Sequence, residues 1–302
     1  MEKLFDATAL GEILIDFTEC GVSANGRRLY QQNPGGAVAN VMYTMSKLGA
    51  KTSFIGKVGR DVHGEYLKET LKRVGVNTDG LVLDPNVFTT LAFVTLSDKK
   101  KPSFSFARKP GADTQLQKPE VNKEIISTTK IFHVGSLSLT DEPSRSTTLY
   151  ALDLAKNSGA IISYDPNYRA SLWPNFEQAK QQLRIILPFV NLLKLAEEET
   201  EILTDETDPS LAAKKLVEAG ISCVVVTLGE RGALVCTKKG QKEVPAQKVE
   251  NIVDTTGAGD AFWGAFLKKM IDNNVTHQNL SLEQAIEFAQ FGNKIAAEHI
   301  KK

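Results

Sequence analysis

Short aliphatic runs alternate with longer stretches of helical period through most of this 302-residue chain, and that alternation restricts the fold more than any other feature. The runs "TSFIGKVG", "KIFHVGSL", "GAIISYD", "NLLKL" and "CVVVTLG" are too continuously apolar for strands with one wet face. Each reads as a strand buried on both faces. Between them the period predicts helices from about His63 to Val74, Glu142 to Asn157 and Asn175 to Ile186. Helical turns follow around Glu197 to Leu203 and Ser210 to Ala219, with two closing helices. At the start, "DATALGEILIDF" reads as a first strand. Val38, Val41, Met42, Met45 and Leu48 then share one face of a helix that Gly49 closes. The order implies an α/β fold, with a largely parallel sheet and helices on both faces.

One segment breaks the rhythm. Residues 90–96 and 103–107 alternate with period two around a charged turn containing Pro102, which predicts a hairpin. With "ECGVSANGRRLYQQN" it can form a small antiparallel sheet outside the main one, although periodicity alone does not separate that from a surface excursion. No internal repeat or low-complexity linker sets off a second folding unit.

With 42% hydrophobic and 24% charged residues, disorder and coiled coil are excluded as descriptions. The 36 basic and 36 acidic residues cancel, so no net field favours nucleic acid or a membrane surface, and a small ligand is the expected partner. Cys20, Cys223 and Cys236 form no zinc spacing and are too few for a disulfide framework. The charged N-terminus lacks a signal peptide's apolar centre, and no apolar run reaches the roughly 20 residues of a membrane span. A cytoplasmic, soluble protein is expected.

The stretch "NIVDTTGAGDAFWGAF", residues 251–266, carries the chemistry. Its glycines are expected at a strand-to-helix turn, where the N–H groups of Gly257, Ala258, Gly259 and Asp260 can converge on an anion. "GAGDAF" lacks the third small residue of a dinucleotide fingerprint and the acidic residue about 20 positions later, and no Walker sequence occurs. Asp260 has two readings: a dipole stabiliser in a first helical turn, or a base that takes a hydroxyl proton beside a phosphate cradle.

"DTTGAGDAF" resembles the C-terminal signature of the ribokinase-like (PfkB) carbohydrate kinases, and "NPGGAVANVMYTMSKLGAKTSFIGKVGRDVHGEYL" resembles their N-terminal signature. "LAFVTL", "FSFARKPGAD", "IFHVGSLSL", "EPSRST", "SYDPNYRASLW" and "VVVTLGERGA" extend the likeness over nearly the whole chain, in the order seen in the fructokinase branch. The resemblance implies a doubly wound sheet with a small β-sheet lid, built near residues 17–33 and 90–107, and a sugar between them. It also implies ATP-dependent phosphorylation of the 6-hydroxyl of D-fructose, with ribose, 2-keto-3-deoxygluconate or a nucleoside as rival acceptors. A non-catalytic sugar or nucleotide sensor is the rival from another class.

By position, the resemblance makes Asp260 the base and Gly257 to Gly259 the anion hole. Asp16, at the end of the first strand, resembles a sugar ligand; Gly35, Gly36 and Asn40 match the sugar cradle; Arg108, Asn167 and Arg169 are further sugar or phosphate contacts. Thr227, Gly229, Gly232 and Asn293 are implied around the nucleotide. Glu199 matches the glutamate of an NxxE motif acting on magnesium through water, but Ala196 stands where the asparagine belongs. Potassium, at carbonyls near Asp254 and Thr256, and a homodimer formed through the lid are implied by the resemblance alone.

Overall fold

The structure is a computed structural model that describes residues 2–96, 102–250 and 252–301; residues 97–101 of the charged turn expected in the hairpin lie outside them, and Pro102, expected in that turn, begins a strand. The chain begins with β1 (Phe5–Leu10), β2 (Leu14–Val22), β3 (Arg28–Gly35), α1 (Ala37–Lys47), β4 (Thr52–Gly59), α2 (Val62–Arg73) and β5 (Asn77–Asp84). Strands β6 (Leu91–Leu96) and β7 (Pro102–Ala107) follow, then α3 (Lys123–Ser127), β8 (Thr129–Val134), α4 (Ser144–Asn157), β9 (Ile161–Tyr164) and α5 (Phe176–Arg184). Next come β10 (Leu192–Ala196), α6 (Thr200–Thr204), α7 (Pro209–Glu218), β11 (Cys223–Thr227), β12 (Ala233–Thr237) and β13 (Gly240–Val244). Helices α8 (Ala258–Asp272) and α9 (Leu282–His299) close the chain.

The main sheet has the order β13-β12-β11-β10-β9-β8-β1-β4-β5. Pairing is parallel from β5 through β11, and β12 and β13 add an antiparallel edge. Successive side chains of a strand point to opposite faces, so single strands feed two cores. Cys223 and Val225 of β11 join the core under α1, α2, α8 and α9, whereas Val224 and Val226 join the one under α3 to α7. Both faces are therefore covered, which is why the strands read as unbroken apolar runs. Each fully buried side chain such as Phe54, Phe132 or Phe266 contributes about 1.5–3 kcal/mol relative to an exposed one.

Helix boundaries follow local chemistry. Asp61 accepts from the N–H groups of His63 and Gly64 to start α2, and Ser281 with Gln284 forms a capping box on α9. At Gly264 of α8, an added Cβ would stand 2.9 Å from the Val41 carbonyl oxygen, so only glycine lets α8 pack this closely on α1.

Three expectations need correction. The predicted first strand is two strands: β1 belongs to the main sheet and β2 to a second one, separated at Gly11, where a Cβ would lie 2.7 Å from Val38 Cγ2. That second sheet, of order β3-β2-β6-β7, is mixed rather than antiparallel, because β2 pairs with β6 in parallel. Finally, among the described residues no strand leads into α8. Ile252 and Val253 are exposed, and the Val253 N–H is bonded to the Ile300 carbonyl at the end of α9 instead of to a sheet.

Candidate active site

The strand order reverses between neighbours β1 and β8: β4 and β5 extend one side, and β9, β10 and β11 the other. Ligands of open α/β sheets bind at the carboxyl ends of strands at such a reversal. A cavity of about 330 Å³ opens there. Asp16, Gly36 and Asn40 come to it from the segment after β1, Asn167 and Arg169 from beyond β9, and Glu199 from beyond β10. Gly257, Gly259 and Asp260 come from the start of α8.

Helix α8 starts at Gly257, whose φ of 77° and ψ of 0° are left-handed, and no side chain among the described residues caps it. The Ala258 N–H is bonded to the Thr255 carbonyl at 3.2 Å, so the four-donor cradle expected here loses that member in this state. Asp260 is buried, with 6% of its surface exposed. Its Oδ2 accepts from Asn40 Nδ2 at 2.9 Å, and its Oδ1 from Asn167 Nδ2 at 3.4 Å. A carboxylate that merely answered the helix dipole would gain nothing from burial, whereas this one is aimed across the cavity at two amides from other elements. Burial pushes its pKa up, the nearby Asp165 carboxylate adds to that, and Lys194 opposes it.

On one side of Asp260 lies the second sheet. Asp16 is on β2, not at the end of a main-sheet strand, and pairs in register with Asn33 of β3. Burial raises its pKa to about 7, with the Arg169 charge opposing and Asp260 and Asp254 assisting. Gly35 is glycine because a Cβ there would stand 2.1 Å from Asp16 Oδ2; Gly36, at φ 108°, would drive one to 2.5 Å from the Glu12 carbonyl oxygen. Asn167 holds φ 44°, a left-handed conformation that asparagine tolerates, and its N–H is bonded to Asp165 Oδ1 at 3.2 Å. Arg169 stacks over the Phe104 ring at 5.1 Å, joining the loop after β9 to the second sheet.

Arg108 is not brought to the cavity. Its guanidinium is buried, bonded to Asp113 Oδ2 through Nε at 2.8 Å, to Thr140 Oγ1 at 2.8 Å and to the Leu137 carbonyl at 2.8 Å. Those bonds consume the donors that a sugar would need.

On the other side of Asp260 is a second cavity of about 760 Å³, lined by Thr227, Gly229, Gly232, Ala258, Phe262 and Asn293 among others. Thr227, Thr255 and Gly259 border both cavities, so the two meet at the mouth of α8. Gly232 serves the β11–β12 turn as well: a Cβ there would lie 2.1 Å from the Val244 carbonyl oxygen. Asn293 is held by bonds from Nδ2 to the Val244 and Pro245 carbonyls, at 3.1 and 3.0 Å.

Glu199 accepts from the Tyr168 N–H at 2.5 Å and the Ala196 N–H at 2.7 Å, which orients its carboxyl beside the cavity. Burial and then Asp165 raise its pKa. Asp254 is exposed and accepts from the Thr256 N–H, and the Thr256 carbonyl meets His299 Nε2 at 2.9 Å.

Three further charged residues, Glu12, Asp165 and Lys194, belong to the site without standing out in the sequence. Glu12 is fully buried, its Oε1 accepting from the Ala37 N–H at 2.8 Å, and burial raises its pKa to about 7. Asp165 and Lys194 form a buried pair at 2.9 Å. The available signal was the lysine inside "NLLKL": a charge in a run buried on both faces needs a partner and a reason.

Residues 5–302 match the family model described as pfkB family carbohydrate kinase. A probable fructokinase-3 of Arabidopsis thaliana is 40% identical over 285 residues, covering 93% of this chain and 82% of the relative. The structure of a fructokinase with bound ATP from Xylella fastidiosa superposes with a TM-score of 0.90 at 30% identity, over 99% of this chain and 93% of that one. A fructokinase double mutant from Vibrio cholerae O395, bound to fructose, ADP and potassium ion, gives 0.88 at 29% identity, over 100% and 94%. With both signatures in place and the acid of the second at the junction of two cavities, the chain belongs to the PfkB family of carbohydrate kinases.

Proposed function

We propose that this kinase transfers the γ-phosphoryl group of ATP to the 6-hydroxyl of D-fructose, giving fructose 6-phosphate and ADP. The observation that carries the reading is Asp260, buried at the start of α8 where a polar cavity and a larger, more apolar one meet. The polar cavity suits a hexose: Asp16, Asn40 and Asn167 offer carboxylate and amide groups to hydroxyls. The larger cavity suits a nucleotide, with Thr227, Gly229, Gly232 and Asn293 on its walls. Asp260 takes the hydroxyl proton, and the N–H groups of Gly257, Gly259 and Asp260 face the charge on the transferring group. The raised pKa of Asp260 brings the base nearer working pH.

The second sheet acts as a lid, because Asp16, Phe104 and Phe106 reach the polar cavity from it. Closing it would keep water from competing for the phosphoryl group. Val22, Leu29, Tyr30 and Phe93 of the same sheet are exposed apolar residues, which supports pairing of two copies through this face; sedimentation tests it. No described helix is long and apolar enough to cross a membrane.

Magnesium fits as an ion carried by the nucleotide. Among the described residues no cluster of three or more potential ligands exists, and Glu199 is oriented by two N–H bonds to act through water. When bound, the ion neutralises polyphosphate charge. A potassium cage does not fit equally well: Asp254 is exposed and His299 already engages the Thr256 carbonyl, so no step is assigned to that ion.

The test is ADP release across a panel of sugars and nucleosides. Fructose should lead by at least about tenfold in kcat/KM. Strong turnover of ribose, 2-keto-3-deoxygluconate or a nucleoside with fructose idle would overturn the acceptor, and ATP binding without any transfer would leave a sensor.

A further inference from the structure

We propose that Lys194 is a catalytic residue of this enzyme, its ammonium group bonding the phosphoryl oxygens during transfer. The inference rests on the sugar-kinase reading above and adds a group that the signatures do not contain.

Lys194 lies on β10, and 5% of its surface is exposed. Its Nζ donates to Asp165 Oδ2 at 2.9 Å and meets no second hydrogen-bond acceptor among the described residues. An ammonium has three donors, so a buried one with a single acceptor is under-used.

The direction of the side chain is more informative than the pair. A Cβ added to Gly259 would stand 2.9 Å from Nζ and 3.5 Å from Cε, so the ammonium is pressed against the first turn of α8. That is the positive end of the helix, where a cation is disfavoured unless an anion shares the place. Lys194 also lines the polar cavity together with Gly257, Gly259 and Asp260. Burial works to lower the pKa of the amine, but Asp165, Glu199 and Asp260 outweigh it and hold the pKa above its ordinary value. A buried ammonium set against the first turn of α8, on the wall of the polar cavity, is placed to meet phosphoryl oxygens.

The same strand accounts for the departure at Ala196. Residues two apart share a strand face, and Lys194 and Ala196 both line the cavity. The family motif would put an asparagine amide at 196. Here the methyl group leaves space, and a charge from 194 serves the same region.

The step balances without a further reactant. The sugar oxygen forms a bond to the γ-phosphorus as the bond from that phosphorus to the β–γ bridging oxygen breaks, and the hydroxyl proton goes to Asp260. Lys194 stays protonated throughout, donating to oxygens whose charge is redistributed.

Two variants test the assignment: Lys194→Met, and Lys194→Met with Asp165→Asn. The second removes both charges of the pair, so no carboxylate is left buried and unpaired if the single variant fails to fold. Thermal melting establishes folding, and steady-state kinetics with fructose and ATP follow beside the wild type. The expected result is a fall in kcat of about 100-fold or more, with sugar KM within about threefold. A purely structural pair would not alter transition-state recognition, so the third readout is ADP affinity with and without aluminium fluoride, a mimic of the planar phosphoryl group. The wild type should bind ADP more tightly with the fluoride and sugar present; the folded variants should lose that gain and keep their affinity for ADP alone. A folded double variant with kcat and fluoride response within about threefold of wild type would overturn the role of Lys194 while the kinase reading stands. Wild-type protein that releases no sugar-dependent ADP overturns both.

Discussion

Asn40 Nδ2 donates to Asp260 Oδ2 across 2.9 Å, so a side chain of α1 bears on the basicity of a carboxyl at the mouth of α8. The bond favours the ionised acid and works against the burial that raises its pKa. Removing it with Asn40→Ala should raise that pKa further and move the acidic limb of the kcat/KM profile to higher pH. An unmoved limb would mean that Asp260 does not govern it.

Replacing Asp260 by asparagine keeps the shape and removes the base. Turnover should fall by about two to four orders of magnitude, with ATP affinity measured by calorimetry little changed. Near-normal turnover would leave Asp260 as a helix-end acid only.

Glu12 links pH to stability. Its carboxyl has an unfolded pKa of about 4.3 and is raised by burial to about 7 in the folded chain. The folded state therefore holds the extra proton between those values. The stabilising contribution is complete below the unfolded pKa and is lost as pH rises through the folded one. Melting temperature should fall between pH 5 and pH 8 by less in Glu12→Gln than in the wild type, and equal falls would contradict the assignment.

Gly232 combines φ 104° with a turn packed so tightly that a Cβ would lie 2.1 Å from the Val244 carbonyl oxygen. Gly232→Ala should cost about 2 kcal/mol or more in denaturant unfolding. It should also raise the KM for ATP, since the turn lines the larger cavity. An unchanged midpoint and KM would show that the loop yields freely.

Arg108 offers the complementary control. Its donors are consumed by Asp113, Thr140 and Leu137, so Arg108→Met should reduce thermal stability while leaving the sugar KM of the remaining folded enzyme within about threefold. A large selective rise in that KM would return Arg108 to the sugar site.

Much of this protein was determined by its sequence alone. Runs such as "CVVVTLG" and "KIFHVGSL" read as doubly buried strands because each must feed two cores, and the spacing of Val38, Val41, Met42 and Met45 marked the buried face of α1. The glycine turn and Asp260 were legible too, since backbone approach to a phosphate demands small residues whatever surrounds them. What the tertiary structure alone decided was partnership. Period two could not tell that the chain leaves the main sheet at Gly11 and carries Asp16 into the second one, nor that β2 meets β6 in parallel, because strand pairing is a long-range choice. Arg108 and Arg169 look alike as isolated arginines; only packing ties one to Asp113 and stacks the other on Phe104 beside the cavity. Lys194 was hidden for the same reason: the charge was visible, but its position against Gly259 exists only once β10 and α8 are brought together.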